Sequence, residues 1–168
     1  MLRQVFRGMI GLFLAIGMSF SACSAALSAE EILAMGQENL RNGAELELLI
    51  SVEDVQAKAQ LNWSETEQSL LYTAPEAVEG LCFSRSASGM EVSKDGITKK
   101  LKSGQLLRSS AAENIFSALD ELLLCEGQNL TLETDFLLVK GEKTELCLGL
   151  DGSLRKILWE NGSVEITG

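Results

Sequence analysis

The stretch Glu45 to Trp63, ELELLISVEDVQAKAQLNW, alternates apolar and polar residues with period two. Leu46, Leu48, Ile50 and Val52 fall on one side, against Glu45, Glu47, Leu49, Ser51 and Glu53. After Asp54 the alternation resumes: Val55, Ala57, Ala59, Leu61 and Trp63 on one side, Gln56, Lys58, Gln60 and Asn62 on the other. Side chains of a strand point to alternate faces, so the pattern predicts two strands, each with a dry and a wet face. Residues 67–73 read as a third strand, ended by Ala74-Pro75, and 80–85 and 89–94 as the fourth and fifth. Asp95-Gly96, both tolerant of positive φ, turns the chain into a sixth strand over 97–102, closed by Gly104. Later strands are predicted over 129–134, 136–140, 142–150, 153–160 and 163–167, with Asp151-Gly152 and Asn161-Gly162 as turns of a closing meander.

Two segments change the apolar period to that of a helix. Ser28 with Glu31 three residues on makes a capping box, and Gly43 after Arg41-Asn42 is a stop, which bounds a first helix over 28–42. Ile32, Leu33, Gly36 and Leu40 share one of its faces. Ser110 and Glu113 make a second box, and the stripe Ile115, Phe116, Leu119, Leu122 and Leu123 runs to a stop at Glu126-Gly127. The order is helix, six strands, helix, five strands, which predicts a single α+β domain over 29–168. Eleven strands exceed what a flat open sheet carries, so strong curvature or partial closure into an incomplete β-barrel is expected.

The first 22 residues have the form of an export signal: Arg3 and Arg7, an apolar run MIGLFLAIGM from Met9, then small residues up to Ala22. Phe20-Ser21-Ala22-Cys23 resembles a bacterial lipobox, with Phe20 where Leu is usual, and makes Cys23 the residue for lipid attachment. On that reading residues 23–28 form an anchored linker, and the chain is held at the cell membrane outside the cytoplasm. Two alternatives stay open: secretion after a cut such as that following Ala26, and an uncleaved anchor, since no charge lies between Arg7 and Glu30. All three put the domain outside the cytoplasm.

Charge narrows the partners. Two of the 14 Lys+Arg lie in the leader, so the remainder carries 12 against 24 Asp+Glu. So acidic a chain argues against nucleic acid and against docking on anionic headgroups. The absence of His removes the commonest general base and metal ligand. The acidic clusters Glu30-Glu31, Glu45-Glu47, Glu53-Asp54 and Asp120-Glu121 lack calcium-loop spacing and read as solvated faces and helix starts. No nucleophile motif, phosphate loop or metal triad is present, so neither an enzyme nor a cofactor is expected. Cys82, Cys125 and Cys147 read as buried small hydrophobes, with a Cys125–Cys147 bridge as the alternative.

A helix after a lipobox-like Cys, then a long antiparallel meander interrupted by one helix, resembles the LolA-like lipoprotein superfamily. The local texture agrees: Tyr72-Thr73-Ala74-Pro75-Glu76 leading to Gly80, then Lys94-Asp95-Gly96, and the closing Gly149-Leu150-Asp151-Gly152-Ser153-Leu154-Arg155-Lys156-Ile157. The resemblance implies an incomplete β-barrel whose concave face is covered by the two helices. It also implies binding rather than catalysis. Some members carry lipid or acylated lipoprotein, whereas others, including lipidated spore-germination lipoproteins of Gram-positive bacteria, act through a protein partner. The expected role is therefore a membrane-anchored scaffold for an envelope protein, with a carrier or sensor of an acyl chain as the alternative. Candidate cavity-lining residues are Leu46, Leu48, Ile50, Val55, Ala57, Ala59, Leu61 and Trp63, with Ile115, Phe116 and Leu119 from the second helix. The same residues would equally fill a closed core, with Ala57 and Ala59 letting a helix pack close.

Overall fold

A computed structural model describes residues 26–101 and 110–168. The export signal, Cys23 and residues 24–25 of the linker, and Lys102 and Gly104 after the sixth strand, lie outside the described residues. The elements follow the predicted order. Helix α1 (Ala29–Arg41) is followed by β1 (Ala44–Val52), β2 (Val55–Trp63), β3 (Glu67–Ala74), β4 (Cys82–Ser86), β5 (Gly89–Lys94) and β6 (Ile97–Leu101). Helix α2 (Ala111–Leu124) leads to β7 (Leu130–Leu132), β8 (Phe136–Lys140), β9 (Thr144–Gly149), β10 (Leu154–Trp159) and β11 (Gly162–Ile166). All eleven strands form one open, curved antiparallel sheet in the order β6-β5-β4-β3-β2-β1-β11-β10-β9-β8-β7.

The first and last strands meet at the centre of this sheet, with Leu48 opposite Ile166 and Ile50 opposite Val164. On the other side of β1, Leu46, Leu48 and Ile50 face Leu61, Ala59 and Ala57. The two dry faces read from the sequence therefore become one concave surface. Both helices lie on the half of the sheet from β1 to β7, α1 against β1, β7, β8 and β9 and α2 against β9 and β10. Ile32, Leu33 and Leu40 of α1 and Ile115, Phe116, Leu119 and Leu122 of α2 are buried against Leu48, Ile50, Leu146, Leu148, Ile157 and Val164. Each such side chain contributes about 1.5–3 kcal/mol by leaving water.

Helix ends are tied as their sequences demand. Ser28 and Glu31 make the reciprocal capping box of α1, and the Ser110 hydroxyl accepts from the Glu113 N–H at the start of α2. The far end of α2 is capped from α1: the Gln37 amide donates to the carbonyls of Leu122 and Cys125 at 3.0 and 2.8 Å. The Leu122 carbonyl also accepts from the Cys125 N–H, so Gln37 adds a second donor there and satisfies the Cys125 carbonyl just beyond the helix end.

Several sequence expectations are corrected. The seventh strand covers only Leu130–Leu132, and the ninth starts at Thr144 and ends at Gly149. The last turn is Glu160-Asn161, because Trp159 pairs with Gly162. Gly162 is needed there for space: a Cβ would lie 2.5 Å from the Trp159 ring and 2.8 Å from the Ser51 carbonyl oxygen. The cysteines are half-buried free thiols rather than core residues. Cys147 is paired across the strands with Lys156 and Leu138 on the convex face, whereas Cys125 ends α2 on the concave side, so the bridge does not form.

Gly152 does more than turn the β9–β10 hairpin. Its φ is +74°, and a Cβ there would lie 2.6–2.9 Å from the Met35 Cβ, the Gly36 nitrogen and the Met35 carbonyl carbon of α1. Gly36 answers it, with a Cβ position 3.3 Å from the Gly152 oxygen. The hairpin thus touches the helix backbone to backbone. Gly152→Ala should cost roughly 3–4 kcal/mol, combining left-handed strain with an unrelievable clash. Gly96→Ala, with φ +80° and nothing within 4 Å, should cost only about 1–2 kcal/mol. Urea unfolding of the two variants checks this; equal losses would contradict the close approach.

Candidate functional site

Among the described residues a mainly apolar opening lies at the end of the concave face where α1 passes into β1. Gly43, at φ +94°, lets the chain leave the helix and enter the strand within two residues. Below this corner lies a groove of about 550 Å³. Leu40 of α1, Leu119 and Leu122 of α2, Leu46 of β1, Leu154 of β10 and Ile166 of β11 line it, with Asn39, Asn42, Glu45 and Ser153 also in its wall. A volume of this size lies in the range of small-molecule sites, and an apolar lining with a few polar groups is their usual composition.

The candidate residues divide by position. Leu46 and Leu119 line the groove. Leu48, Ile50, Ala59, Leu61, Trp63, Ile115 and Phe116 are packed in the core, each at most 4 % exposed. Ala57 is half-buried, and Val55 stands 64 % exposed beside the β1–β2 turn. Val55 is spaced correctly for the dry face, but it begins β2 just after the Glu53-Asp54 turn, beyond the helices' reach. Sequence reading missed Leu40, Leu122, Leu148, Leu154 and Ile166. They do carry apolar periodicity; what was missing was the β1–β11 pairing that brings β9, β10 and β11 beside β1.

A second feature spans the concave face. Arg85 of β4 reaches α2 and makes a two-pronged pair with Asp120, at 2.6 and 2.8 Å. Its Nε donates to the Gln68 side-chain oxygen at 3.0 Å. The guanidinium lies 5.4 Å from the Trp63 ring centre and 5.2 Å from that of Phe116, close enough for cation–π attraction to both. This ties the second helix to the β3–β4 side of the sheet.

Three of the four acidic clusters are absorbed structurally. Glu30 and Glu31 lie in the first turn of α1, and Glu53-Asp54 form a hairpin turn. Asp120 pairs with Arg85, and Glu121 accepts from the Glu142 N–H and the Thr144 hydroxyl. Among the described residues no group of three His, Cys, Asp or Glu could hold a metal ion. Burial pushes the Cys82 and Cys147 thiols above their ordinary range, which keeps them protonated and weakly nucleophilic at neutral pH. Asp151 is held below the usual carboxylate range by hydrogen bonds from the Ser153 hydroxyl and N–H.

No protein-family model matches the sequence, and no curated protein does. Solved structures share its shape. An uncharacterized conserved protein from Thermus thermophilus overlaps with a TM-score of 0.52 at 11 % identity, covering 84 % of this chain and 85 % of the other. A LolA superfamily protein from Nitrosomonas europaea gives 0.42 at 14 % identity, over 81 % of this chain and 73 % of its own. A putative outer membrane lipoprotein-sorting protein domain from Vibrio parahaemolyticus gives 0.40 at 10 % identity, over 84 % and 92 %. The Thermus overlap shows a common fold; the two looser ones are likenesses only. Among the described residues no helix is long and apolar enough to cross a membrane.

Because Asp120 and Arg85 are both partly exposed, their pairing is discounted to the scale of surface ion pairs. A double-mutant cycle of Arg85→Leu and Asp120→Asn should give a coupling of about 0.5–1.5 kcal/mol in urea unfolding. Additive losses would mean that Arg85 acts through ring stacking alone.

Proposed function

We propose that this chain is a non-enzymatic, extracytoplasmic binding protein that receives an apolar chain in the groove at the α1–β1 corner. The observation that carries this reading is the groove itself: a lining of seven leucine and isoleucine side chains left open beside a well-filled core. Burial stabilises an alkyl chain by about 0.8 kcal/mol per methylene, so roughly eight methylenes in the groove give about 6 kcal/mol before ordering costs. An acyl chain is the simplest occupant on those terms. Cys23 would hold the domain at the membrane that supplies it. The resemblance to lipoprotein carriers supports the same reading.

A second reading, a scaffold for an envelope protein partner, draws support from the filled core. Trp63, Phe116 and Ile115 are packed at the centre of the concave face. On this reading the groove takes an apolar side chain of the partner.

Substitution separates the two. Leu46→Glu puts a carboxylate into the groove at a position already half-buried, so the fold should survive. Binding of a fluorescent acyl-chain probe to the purified chain should fall at least about tenfold, equivalent to some 1.4 kcal/mol. The Tm should change little. Undiminished probe binding would exclude the groove as the acyl site. Membrane fractionation of a Cys23→Ser variant tests the anchor: persistence at the membrane would overturn it.

A further inference from the structure

The groove runs along α1 and then stops. Gly36, Leu40 and Gly43 follow one another at helical spacing, and all three border it. From residue 36 to residue 43 the helical rise adds up to about 10 Å. Before Gly36 the same face of α1 continues as Ile32 and Leu33, which are buried and border no part of the opening. The groove therefore has its mouth at the α1–β1 corner and its inner end at Gly36.

What closes that end is mostly backbone. Gly152 of the β9–β10 hairpin lies against the main chain of Met35 and Gly36, and its carbonyl oxygen is 3.3 Å from where a Gly36 Cβ would stand. Neither wall can draw back without parting the hairpin from the helix. The space under Gly36 is taken by one side chain, Leu148 of β9, whose two methyl groups lie 2.7 and 3.5 Å from the same position. Leu148 is inaccessible to water and closes the groove's inner end from below. The flanking strands hold it there, with Leu137 opposite it on β8 and Leu154 on β10. Of the three groups at the inner end, it is the one whose bulk a substitution can remove.

We infer that Leu148 sets the length of alkyl chain this groove accepts, and that the ligand class is a single straight chain buried to about eight carbons. Tetrahedral carbons joined by bonds of about 1.5 Å advance about 1.25 Å per methylene in an extended chain, so about eight fill the distance from mouth to inner end. Further methylenes meet Leu148 and the Gly36–Gly152 contact. They stay in water at the mouth or push a packed side chain aside, and either forfeits the gain from burial. This rests on the groove reading above and adds the chain length to it.

The test is calorimetric titration of the full chain with alkyl maltosides from hexyl to dodecyl, one carbon at a time and each kept monomeric, so that only chain length varies. Affinity should rise about fourfold per methylene up to about eight carbons and level off beyond. In Leu148→Ala the levelling should move out by about two carbons, and in Leu148→Val, the milder deletion, by about one. Leu146→Ala removes the same atoms from β9 without bordering the groove and should leave the levelling where it was. Circular dichroism checks each fold, and Leu148→Val decides where Leu148→Ala is unfolded. Affinity that climbs unbroken to dodecyl in the unaltered chain overturns the length inference and leaves the groove standing. So does a break that stays put in the folded Leu148 variants, or one that Leu146→Ala shifts as far. Failure of every maltoside to bind overturns the groove as well.

Discussion

The pairing of β1 with β11 is the constraint on which the rest of this structure depends. It joins the two ends of the domain at the middle of the sheet, so that two meanders become one surface. The seam is fixed at both ends by backbone hydrogen bonds, from the Glu53 N–H to the Asn161 carbonyl and from the Glu47 N–H to the Gly168 carbonyl. A one-residue slip in this ladder would turn Val164 and Ile166 to the wet face while Leu48 and Ile50 stayed on the dry one. Ile50 and Val164 are nearly inaccessible, so the buried pattern holds the register firmly.

From the seam the placement of the helices follows. Helix α1 crosses it and comes to backbone contact with the β9–β10 hairpin at Gly36 and Gly152. That approach puts Gln37 within reach of the last carbonyls of α2, so one helix positions the end of the other. Arg85 holds α2 from the opposite meander through a charge and two rings. The concave face is therefore filled at its centre and open at one corner. Function, on this account, belongs to that corner: an aliphatic groove opening where α1 passes into β1.

Much of the fold was legible because local signals agreed with one another. The period-two run from Leu46 to Trp63, the two Ser–x–x–Glu boxes and the Asp95-Gly96 turn all specify structure within a few residues, and all were located correctly. The resemblance to carrier lipoproteins supplied the side of the sheet on which the helices lie. The site was less legible because it is assembled across the seam. Leu40, Leu154 and Ile166 are distant in sequence, and no periodicity in one segment states that they meet. Val55 shows the opposite failure, since its spacing is right while the helices do not extend over it. Gly162 and Gly152 read as turn residues, but tertiary contacts, with the Trp159 ring and with α1, set what they do.

The central claim is that the corner groove holds an amphiphile, and native mass spectrometry of the chain purified without detergent tests it most directly. The account predicts a population carrying the extra mass of one lipid or fatty acid, lost on mild activation, and absent from the Leu46→Glu variant. A single species at the mass of the covalent chain, unchanged after incubation with lipid, would contradict it.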